Sequence, residues 1–372
     1  FYFKDLNNKM PSRELYSSPE DQQRFFSQCR FSPSGAYLAL HGGNVQVGSL
    51  LIFDGFTGDE LFRDELTHQG AIFNVSFSLD ETLLATASED NTARFWNVKT
   101  FKTFGGVMQH NAEAWKGEFS PDQSRFSVFT SNGELAVWST ETGTLTHDFI
   151  KHDNPVIMTA FTNDGKSVFA GLTNGQVHKW NLMENAHLPF ILSHNGKMLG
   201  IKVDPAGQLI VTSAEDGRIK IWDPGNYELM KEVVVEEDPV TGGDVWQLAF
   251  NKDGTLLGTF QNNSPIRAIS FKLWSWPDVK LLSQYKFPTS VSSTAFSPDG
   301  NLVAFSNNES FEFSTYDISK STVVNVNQDH GDKIFGIKFS QDGKLVATAC
   351  LDGYARVYNT STHKEVVAPL PF

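Results

Sequence analysis

The chain has 372 residues and a formal net charge of −13, from 30 lysines and arginines against 43 aspartates and glutamates. This acidic balance argues against nucleic acid as a partner, because non-specific affinity for phosphate backbones comes from clustered cations and the sequence contains no run of them. The chain also has no stretch of about 18 apolar residues, no signal peptide and no lipidation motif. We therefore expect no membrane partner and a cytoplasmic protein, with the nucleus as the alternative location.

The first 24 residues differ from everything that follows. Residues 1–3 are aromatic and could add an edge strand, whereas residues 11–23 are polar and typical of a connector. The chain begins at Phe1 instead of Met, so we expect a processed or excised piece, with flanking domains of a larger chain outside it. The sequence thus predicts an N-terminal segment, residues 1–24, followed by one repeat domain, residues 25–372.

From residue 25 onward the sequence repeats. A hydrophobic residue followed by a small polar turn recurs eight times, and we call these residues the anchors. The anchors are Phe31, Phe77, Phe119, Phe161, Val203, Phe250, Phe296 and Phe339. They lie 42 to 47 residues apart, close to the roughly 40–45 residues of a four-stranded propeller blade. Four histidines repeat with a strict spacing of 42 residues: His68, His110, His152 and His194.

The second unit shows the strand pattern within a repeat. Residues 73–77, 83–87 and 93–96 alternate between apolar and polar side chains, and turn residues separate them. A weaker fourth strand follows near residues 103–108. No segment has a helical period of any length, so the sequence predicts an all-β fold.

The third strand of most units ends in an aromatic residue followed by a small polar one. The pairs are Trp96-Asn97, Trp138-Ser139, Trp180-Asn181, Trp222-Asp223, Trp274-Ser275, Tyr316-Asp317 and Tyr358-Asn359, and the first unit has Phe53-Asp54. With the periodic histidines, these pairs resemble the WD-repeat β-propeller family over residues 25–372. The resemblance implies four-stranded antiparallel blades, and eight anchors predict eight of them. Seven blades plus an extra strand set is the alternative.

The last blade has two possible outer strands. Residues 360–372 follow the pattern of earlier fourth strands, with residues 364–368 as the expected body. We therefore expect the C-terminus to complete the ring. In the alternative arrangement, the N-terminus supplies the outermost strand.

The family resemblance also implies a hydrogen-bonded set within single blades, made of a histidine, a serine, an aspartate and a tryptophan. It assigns this structural role to His68, Ser88, Asp90 and Trp96. Partial sets are His194, Asp216 and Trp222 with Ala214 in place of the serine, and His330 and Asp352 with Cys350 and Tyr358. Asn132 and Asn174 replace the aspartate in the third and fourth units, which should weaken the histidine contact. We expect no metal site, because equivalent histidines of different blades are spread around a ring.

Partner contacts in this family recur on one face of the ring, which we call the upper face. It carries the loops into the first strand and between the second and third strands. The positions lie six and four residues before each anchor and immediately before the turn aspartate or asparagine. The partner-binding residues predicted there are Phe73, Glu89, Glu113, Trp115, Lys197, Leu199, Glu215, Asp244, Trp246, Lys333 and Phe335, and Arg267 from the lengthened loop 261–270.

Half of the residues four before an anchor are aromatic, which suits a protein-binding hot spot. The alternative is that these rings only fill the top of the channel. The sequence contains no nucleophile elbow, H-E-x-x-H motif, phosphate loop or paired cysteines. We therefore predict no catalytic residue and no cofactor.

The favoured function is a non-catalytic platform that binds a protein or peptide partner on the face carrying Trp115 and Trp246. One alternative is recognition of a modified peptide or a nucleic acid at the channel mouth. A methylated lysine caged by Phe73, Glu89, Glu113 and Trp115 would be one form of it. The third reading is an enzyme with an active site on the ring axis.

Overall fold

The computed structural model describes residues 25–44, 46–64, 67–147, 149–235, 244–263, 268–287 and 290–371. Within these ranges the chain forms 31 strands and no helix, and therefore no helix long and apolar enough to cross a membrane. The predicted N-terminal segment, residues 1–24, lies outside the described residues, and so does the edge strand expected at residues 1–3.

Eight antiparallel sheets follow one another along the chain, and within each sheet consecutive strands pair. Blade one contains β1 (Phe25–Phe31), β2 (Tyr37–Gly43), β3 (Gly48–Asp54) and β4 (Glu60–Asp64), and blade two contains β5 (Ile72–Phe77), β6 (Leu83–Ser88), β7 (Thr92–Asn97) and β8 (Lys102–Gln109). Blade three contains β9 (Ala114–Phe119), β10 (Arg125–Thr130) and β11 (Leu135–Ser139), and blade four contains β12 (Val156–Phe161), β13 (Ser167–Leu172), β14 (Gln176–Asn181) and β15 (Ala186–Ser193). Blade five contains β16 (Met198–Val203), β17 (Ile210–Ala214), β18 (Arg218–Trp222) and β19 (Leu229–Val234), and blade six contains β20 (Asp244–Phe250), β21 (Leu256–Asn263), β22 (Ala268–Ser275) and β23 (Leu281–Lys286). Blade seven contains β24 (Thr294–Phe296), β25 (Leu302–Ser306), β26 (Phe313–Asp317) and β27 (Thr322–Asn327), and blade eight contains β28 (Ile334–Phe339), β29 (Leu345–Cys350), β30 (Tyr354–Asn359) and β31 (Leu370–Pro371).

The third blade has the least regular outer edge. Among the residues that the structure describes there, two isolated bridges continue its sheet beyond β11, joining Leu145 to Trp138 and Ile150 to Leu135. The other seven sheets have four strands each among the described residues. The predicted all-β propeller with eight blades is confirmed, and the seven-bladed alternative is wrong.

The ring closes between the first and last blades. Strand β1 packs against β28 and β29, and the Cys29 thiol of β1 contacts the Ala347 carbonyl oxygen of β29 at 3.6 Å. Strand β31 pairs with Tyr354 and Ala355, so the C-terminus supplies the outer strand of blade eight. Within the expected body, residues 364–368, Glu365 forms an isolated bridge with Tyr358, and backbone hydrogen bonds join Lys364 to Asn359 and Val366 to Val357. The regular strand is confined to Leu370–Pro371.

A backbone feature repeats through all eight blades. The residue five positions after the third-strand aromatic has a positive φ, the left-handed conformation that ends the turn into the fourth strand. These residues are Gly58, Phe101, Gly143, Asn185, Tyr227, Val279, Ser321 and His363. Seven of them follow the aromatic residues identified from sequence, and Gly58 follows Phe53, so the first unit is a regular blade despite its missing tryptophan.

The hydrophobic core lies between neighbouring sheets. One such layer joins Phe95 of blade two to Phe126 and Val128 of blade three, all fully buried. Because every blade packs on both faces in this way, the inner strands are held at fixed positions around the axis. The ring is therefore a rigid support for the loops on its upper face.

Candidate functional site: the upper face and the central channel

Backbone hydrogen bonds bring the predicted contact positions together within each blade. The carbonyl oxygen of the residue six before the anchor accepts a hydrogen bond from a backbone N–H in the turn between the second and third strands. The donor is the residue immediately before the turn aspartate. The distance from the donor nitrogen to the acceptor oxygen is 2.9 Å from Glu89 to Ala71, 3.0 Å from Glu215 to Lys197 and 3.0 Å from Leu351 to Lys333. Two of the three predicted positions are thus adjacent on one rim of the ring.

The third position, four residues before the anchor, is the extra residue of a β-bulge. In seven inner strands the pairing register jumps over this residue, which has no partner on the second strand. The residues are Ser27, Phe73, Trp115, Ile157, Leu199, Trp246 and Phe335. A bulge bends the strand and changes the direction of a side chain, and bulges are common beside binding sites.

Trp115 and Trp246 are both half-buried. Trp115 packs against the core layer between blades three and four, and its Nε1 donates a hydrogen bond to Glu113 Oε2 at 3.1 Å. Trp246 packs on Phe260, with 5.7 Å between ring centroids. Each indole is therefore fixed along one edge by the core and leaves part of its surface accessible.

Two groups of charged side chains accompany these rings. Burial raises the pKa of Glu89, and the charges of Glu113 in the next blade and of Asp90 add to this effect. Burial lowers the pKa of Lys197, opposed by the charges of Glu215 and Asp244. The surroundings of Trp115 are thus acidic, whereas those of Trp246 combine a lysine with two carboxylates.

The remaining predicted contact residues differ in accessibility. Phe73 and Phe335 are half-buried and Lys333 is exposed. Leu199 is only 7% exposed, so little of its side chain is accessible, and its role as a partner contact stays a prediction that this burial does not favour. Arg267 lies outside the described residues.

The hydrogen-bonded set of the second blade contains a hydroxyl different from the predicted one. His68 Nδ1 lies 3.0 Å from Asp90 Oδ2, and Thr86 Oγ1 lies 2.7 Å from His68 Nε2 and 3.0 Å from Trp96 Nε1. The hydroxyl between the two rings therefore belongs to Thr86. Ser88 instead donates to the Gly70 carbonyl oxygen and accepts from the Asp90 N–H.

The fifth blade repeats this network. His194 Nδ1 lies 2.9 Å from Asp216 Oδ2, and the Thr212 hydroxyl lies between His194 Nε2 at 2.7 Å and Trp222 Nε1 at 2.8 Å. Thr212 therefore supplies the hydroxyl expected from the serine position, which Ala214 occupies in this blade. The signal was present in the sequence, since both threonines precede the tryptophan by ten residues.

The eighth blade makes only half of the set. His330 Nε2 contacts Thr348 Oγ1 at 2.9 Å, but the carboxylate of Asp352 pairs with Arg356 at 2.9 Å and His330 Nδ1 has no partner. The predicted pairing of His330 with Asp352 is wrong, because Arg356 is a permanent cation and the buried histidine is not.

The third and fourth blades lack the threonine. Val128 and Ala170 stand ten residues before Trp138 and Trp180, and both indole Nε1 atoms are buried without a partner. The asparagines expected to contact the histidines bond elsewhere: Asn132 accepts from the Thr130 hydroxyl, and Asn174 donates to the Gln176 side chain. The neutral histidine–asparagine contact predicted for these blades is therefore wrong.

The central channel carries a cluster of cations that are far apart in the sequence and therefore form no run of lysines and arginines. Arg30, Lys116, Lys202 and Lys338 lie on the inner strands of blades one, three, five and eight, one or three residues before an anchor. Burial lowers the pKa of Lys338 to about 8, and the charge of Arg30 lowers it further, with smaller contributions from Lys116 and Lys202. Glu118 lies on the same strand as Lys116: burial raises its pKa, opposed by the charges of Lys202 and Lys116. The channel wall is thus cationic in a protein of net charge −13.

Comparison with known proteins agrees with this architecture. The family model for the WD40 repeat (WD domain, G-beta repeat) matches residues 62–97, 187–223 and 321–359. Each match runs from the outer strand of one blade to the third strand of the next. The computationally designed protein Ika8 has a similar fold, with a TM-score of 0.72 and 19% sequence identity over 91% of this chain and 98% of that one.

Curated relatives match over shorter stretches. WD repeat-containing protein 1 of Xenopus tropicalis is 40% identical over 80 residues, which is 21% of this chain and 13% of that protein. Eukaryotic translation initiation factor 3 subunit I of Debaryomyces hansenii is 23% identical over 187 residues, 46% of this chain and 50% of the relative. This chain therefore covers between about one eighth and one half of these relatives. The matched stretches and the eight blades of the same construction show that the chain carries WD40 repeats and folds as an eight-bladed β-propeller.

Proposed function

We propose that this chain is a non-catalytic platform that binds a protein or peptide partner on its upper face, with Trp115 and Trp246 as the main contacts. WD40 propellers are generally protein-interaction scaffolds without catalytic activity. The partner, the face and the absence of catalysis in this chain are the parts that we propose.

One observation supports the choice of face above the others. Trp115 and Trp246 are bulge residues that the core fixes along one edge while part of each ring stays accessible. A large aromatic ring that is already immobile loses little conformational entropy on binding, which is the property of a hot-spot residue. The charged side chains beside each ring would then select the polarity of the partner.

Replacing both tryptophans by alanine should weaken partner binding at least about 30-fold, since hot-spot truncations cost 2 kcal/mol or more. The ligand would be a peptide selected from a displayed random library on the wild-type ring, and its affinity would be measured by fluorescence anisotropy. The double variant Trp115→Ala/Trp246→Ala should lose the peptide.

The matched control is Trp180→Ala. Trp180 is half-buried and packs against the same core layer as Trp115, but it lies on a third strand, away from the contact positions. Its truncation should lower the melting temperature as much as Trp115→Ala does and leave the peptide affinity unchanged. Full binding by the double variant, or equal loss in the control, would show that the upper-face rings serve packing only.

The cationic channel favours one form of the alternative function, recognition of a phosphorylated peptide at the channel mouth. Lys116 and Lys202 are exposed on the inner strands, and a phosphate group would relieve their mutual repulsion while accepting charge-assisted hydrogen bonds.

A phosphoserine peptide should therefore bind more tightly than its serine twin, and Lys202→Gln should reduce this preference about tenfold, the value of one hydrogen bond to a charged group. Lys102→Gln, on the exposed strand β8, is the control. Equal affinities of the wild type for both peptides would exclude this function.

A further inference from the structure

Three histidines meet at one point in the fourth blade. His152 precedes β12, His178 lies on β14 and His187 lies on β15. His178 Nδ1 is 3.1 Å from His152 Nδ1 and 3.2 Å from His187 Nε2. One ring nitrogen from each histidine lies within 4.8 Å of the other two.

These distances match a metal-binding geometry better than a hydrogen-bonded one. A neutral imidazole nitrogen carries either one proton or one lone pair, so a single hydrogen at His178 Nδ1 would have to serve two neighbours. Ligand nitrogens around a tetrahedral zinc ion, at 2.0–2.1 Å from it, are about 3.3 Å apart. A cation between the three rings would use all three lone pairs.

The sequence of this blade explains why His152 is free for another role. Its counterparts His68 and His194 bond to a threonine ten residues before the tryptophan, but the fourth blade has Ala170 there. His152 Nε2 is consequently buried without a partner. The hydrogen-bonded set that fixes the ring in other blades is thus absent in this one.

The pairing of β14 with β15 brings the other two rings to the same place. Between the pairs Val177–Leu192 and Lys179–Leu188, three residues of β15 oppose one residue of β14, His178, so β15 bulges opposite His178. His187 pairs with Trp180, two residues from His178 and therefore on the same face of the sheet. Irregular pairing of this kind commonly serves to position a side chain.

Burial also favours the neutral form of the three rings. Burial lowers the pKa of His152 to about 3, with further lowering by the charges of His178 and His187. Burial lowers the pKa of His178 and of His187 as well. Neutral imidazole is the ligand form of histidine, and three imidazoles with an open fourth position suit Zn²⁺.

We propose that His152, His178 and His187 bind one Zn²⁺ ion, which fastens the segment before β12 to strands β14 and β15. The fourth coordination position would hold water. The expectation of no metal site considered only the periodic histidines, which are spread around the ring, and this cluster combines one periodic histidine with two that have no counterpart in other blades.

Titration of the chelator-treated full chain with Zn²⁺ tests the proposal. We expect one ion per chain by calorimetry, a rise of several degrees in melting temperature that EDTA reverses, and the visible absorption of tetrahedral Co²⁺ when cobalt replaces zinc. Failure of the folded chain to take up either ion would overturn the proposal.

Substitutions then identify the ligands. His178→Asn and His187→Asn should each abolish the metal-dependent rise in melting temperature, whereas His363→Asn, in a turn of blade eight, should retain it. Histidine side-chain NMR of the wild type provides the same assignment without any substitution. Uptake that persists in both ligand variants, or zinc-induced shifts confined to other histidines, would contradict the site.

Discussion

Acidification from pH 6.5 to pH 4 is expected to unfold this propeller, because buried histidines must bind protons that the fold excludes. Burial lowers the pKa of His41, His110 and His330 to about 4 each. The unfolded chain, with an ordinary histidine pKa near 6.5, binds these protons first. Stability is therefore complete above pH 6.5 and falls as the pH approaches 4.

The expected loss is large compared with the stability of a typical domain. One pKa unit corresponds to about 1.4 kcal/mol, so each of the three histidines contributes roughly 2–3 kcal/mol across this window. Their sum is on the order of the 5–15 kcal/mol that stabilises most domains. Urea unfolding at a series of pH values measures it directly.

His110→Phe separates this effect from general acid denaturation. Both ring nitrogens of His110 are buried without a partner, and the ring packs edge-on against Trp138 and Phe149. Phenylalanine keeps those contacts and cannot be protonated, so the variant should be more stable at pH 5 than the wild type by about 2 kcal/mol. An identical pH dependence in the two proteins would contradict the assignment to buried histidines.

The second large effect is expected from Thr86→Val. The Thr86 hydroxyl donates to His68 Nε2 and accepts from Trp96 Nε1. The His68 imidazole in turn donates through its Nδ1–H to the Asp90 carboxylate. Removing one hydroxyl leaves two buried polar atoms unpaired, which should cost about 2–4 kcal/mol in free energy of unfolding. The change in side-chain volume is small, so packing contributes little to this loss.

Val128→Thr is the reverse experiment, in the blade where the hydroxyl is missing. It offers the unpaired Nε1 of Trp138 and the His110 ring a hydroxyl at the equivalent place, and we expect unchanged or increased stability instead of the usual penalty for a buried hydroxyl. Denaturant unfolding of both variants decides the matter. A loss of stability in Val128→Thr as large as that in Thr86→Val would mean that a hydroxyl at position 128 finds no partner in the third blade.

The fold was predictable because repetition averages out local uncertainty. Eight anchors and seven third-strand aromatics gave the blade count, even though the first unit lacks its tryptophan and the seventh has an inner strand of only three residues, Thr294–Phe296. Individual strand limits were less predictable, as the late start of β31 shows, since the pattern of one short strand carries little information.

The site was predictable only as a set of positions. The period located the bulge residues, but whether each one is accessible depends on packing between blades, which left Trp115 half-buried and Leu199 buried. The cationic channel joins single residues from four blades, and the histidine cluster adds to one periodic histidine two histidines of the same blade that have no counterparts elsewhere. Neither produces a run or a period in the sequence.

Hydrogen exchange on the wild-type ring, with and without the selected peptide, tests the central claim that bulge residues of separate blades form one binding face. We predict that protection will rise at the start of β9 and of β20, around Trp115 and Trp246, and remain unchanged in the turns of the opposite face, such as residues 32–36 and 120–124. Protection confined to those turns or to the outer strands would contradict the account.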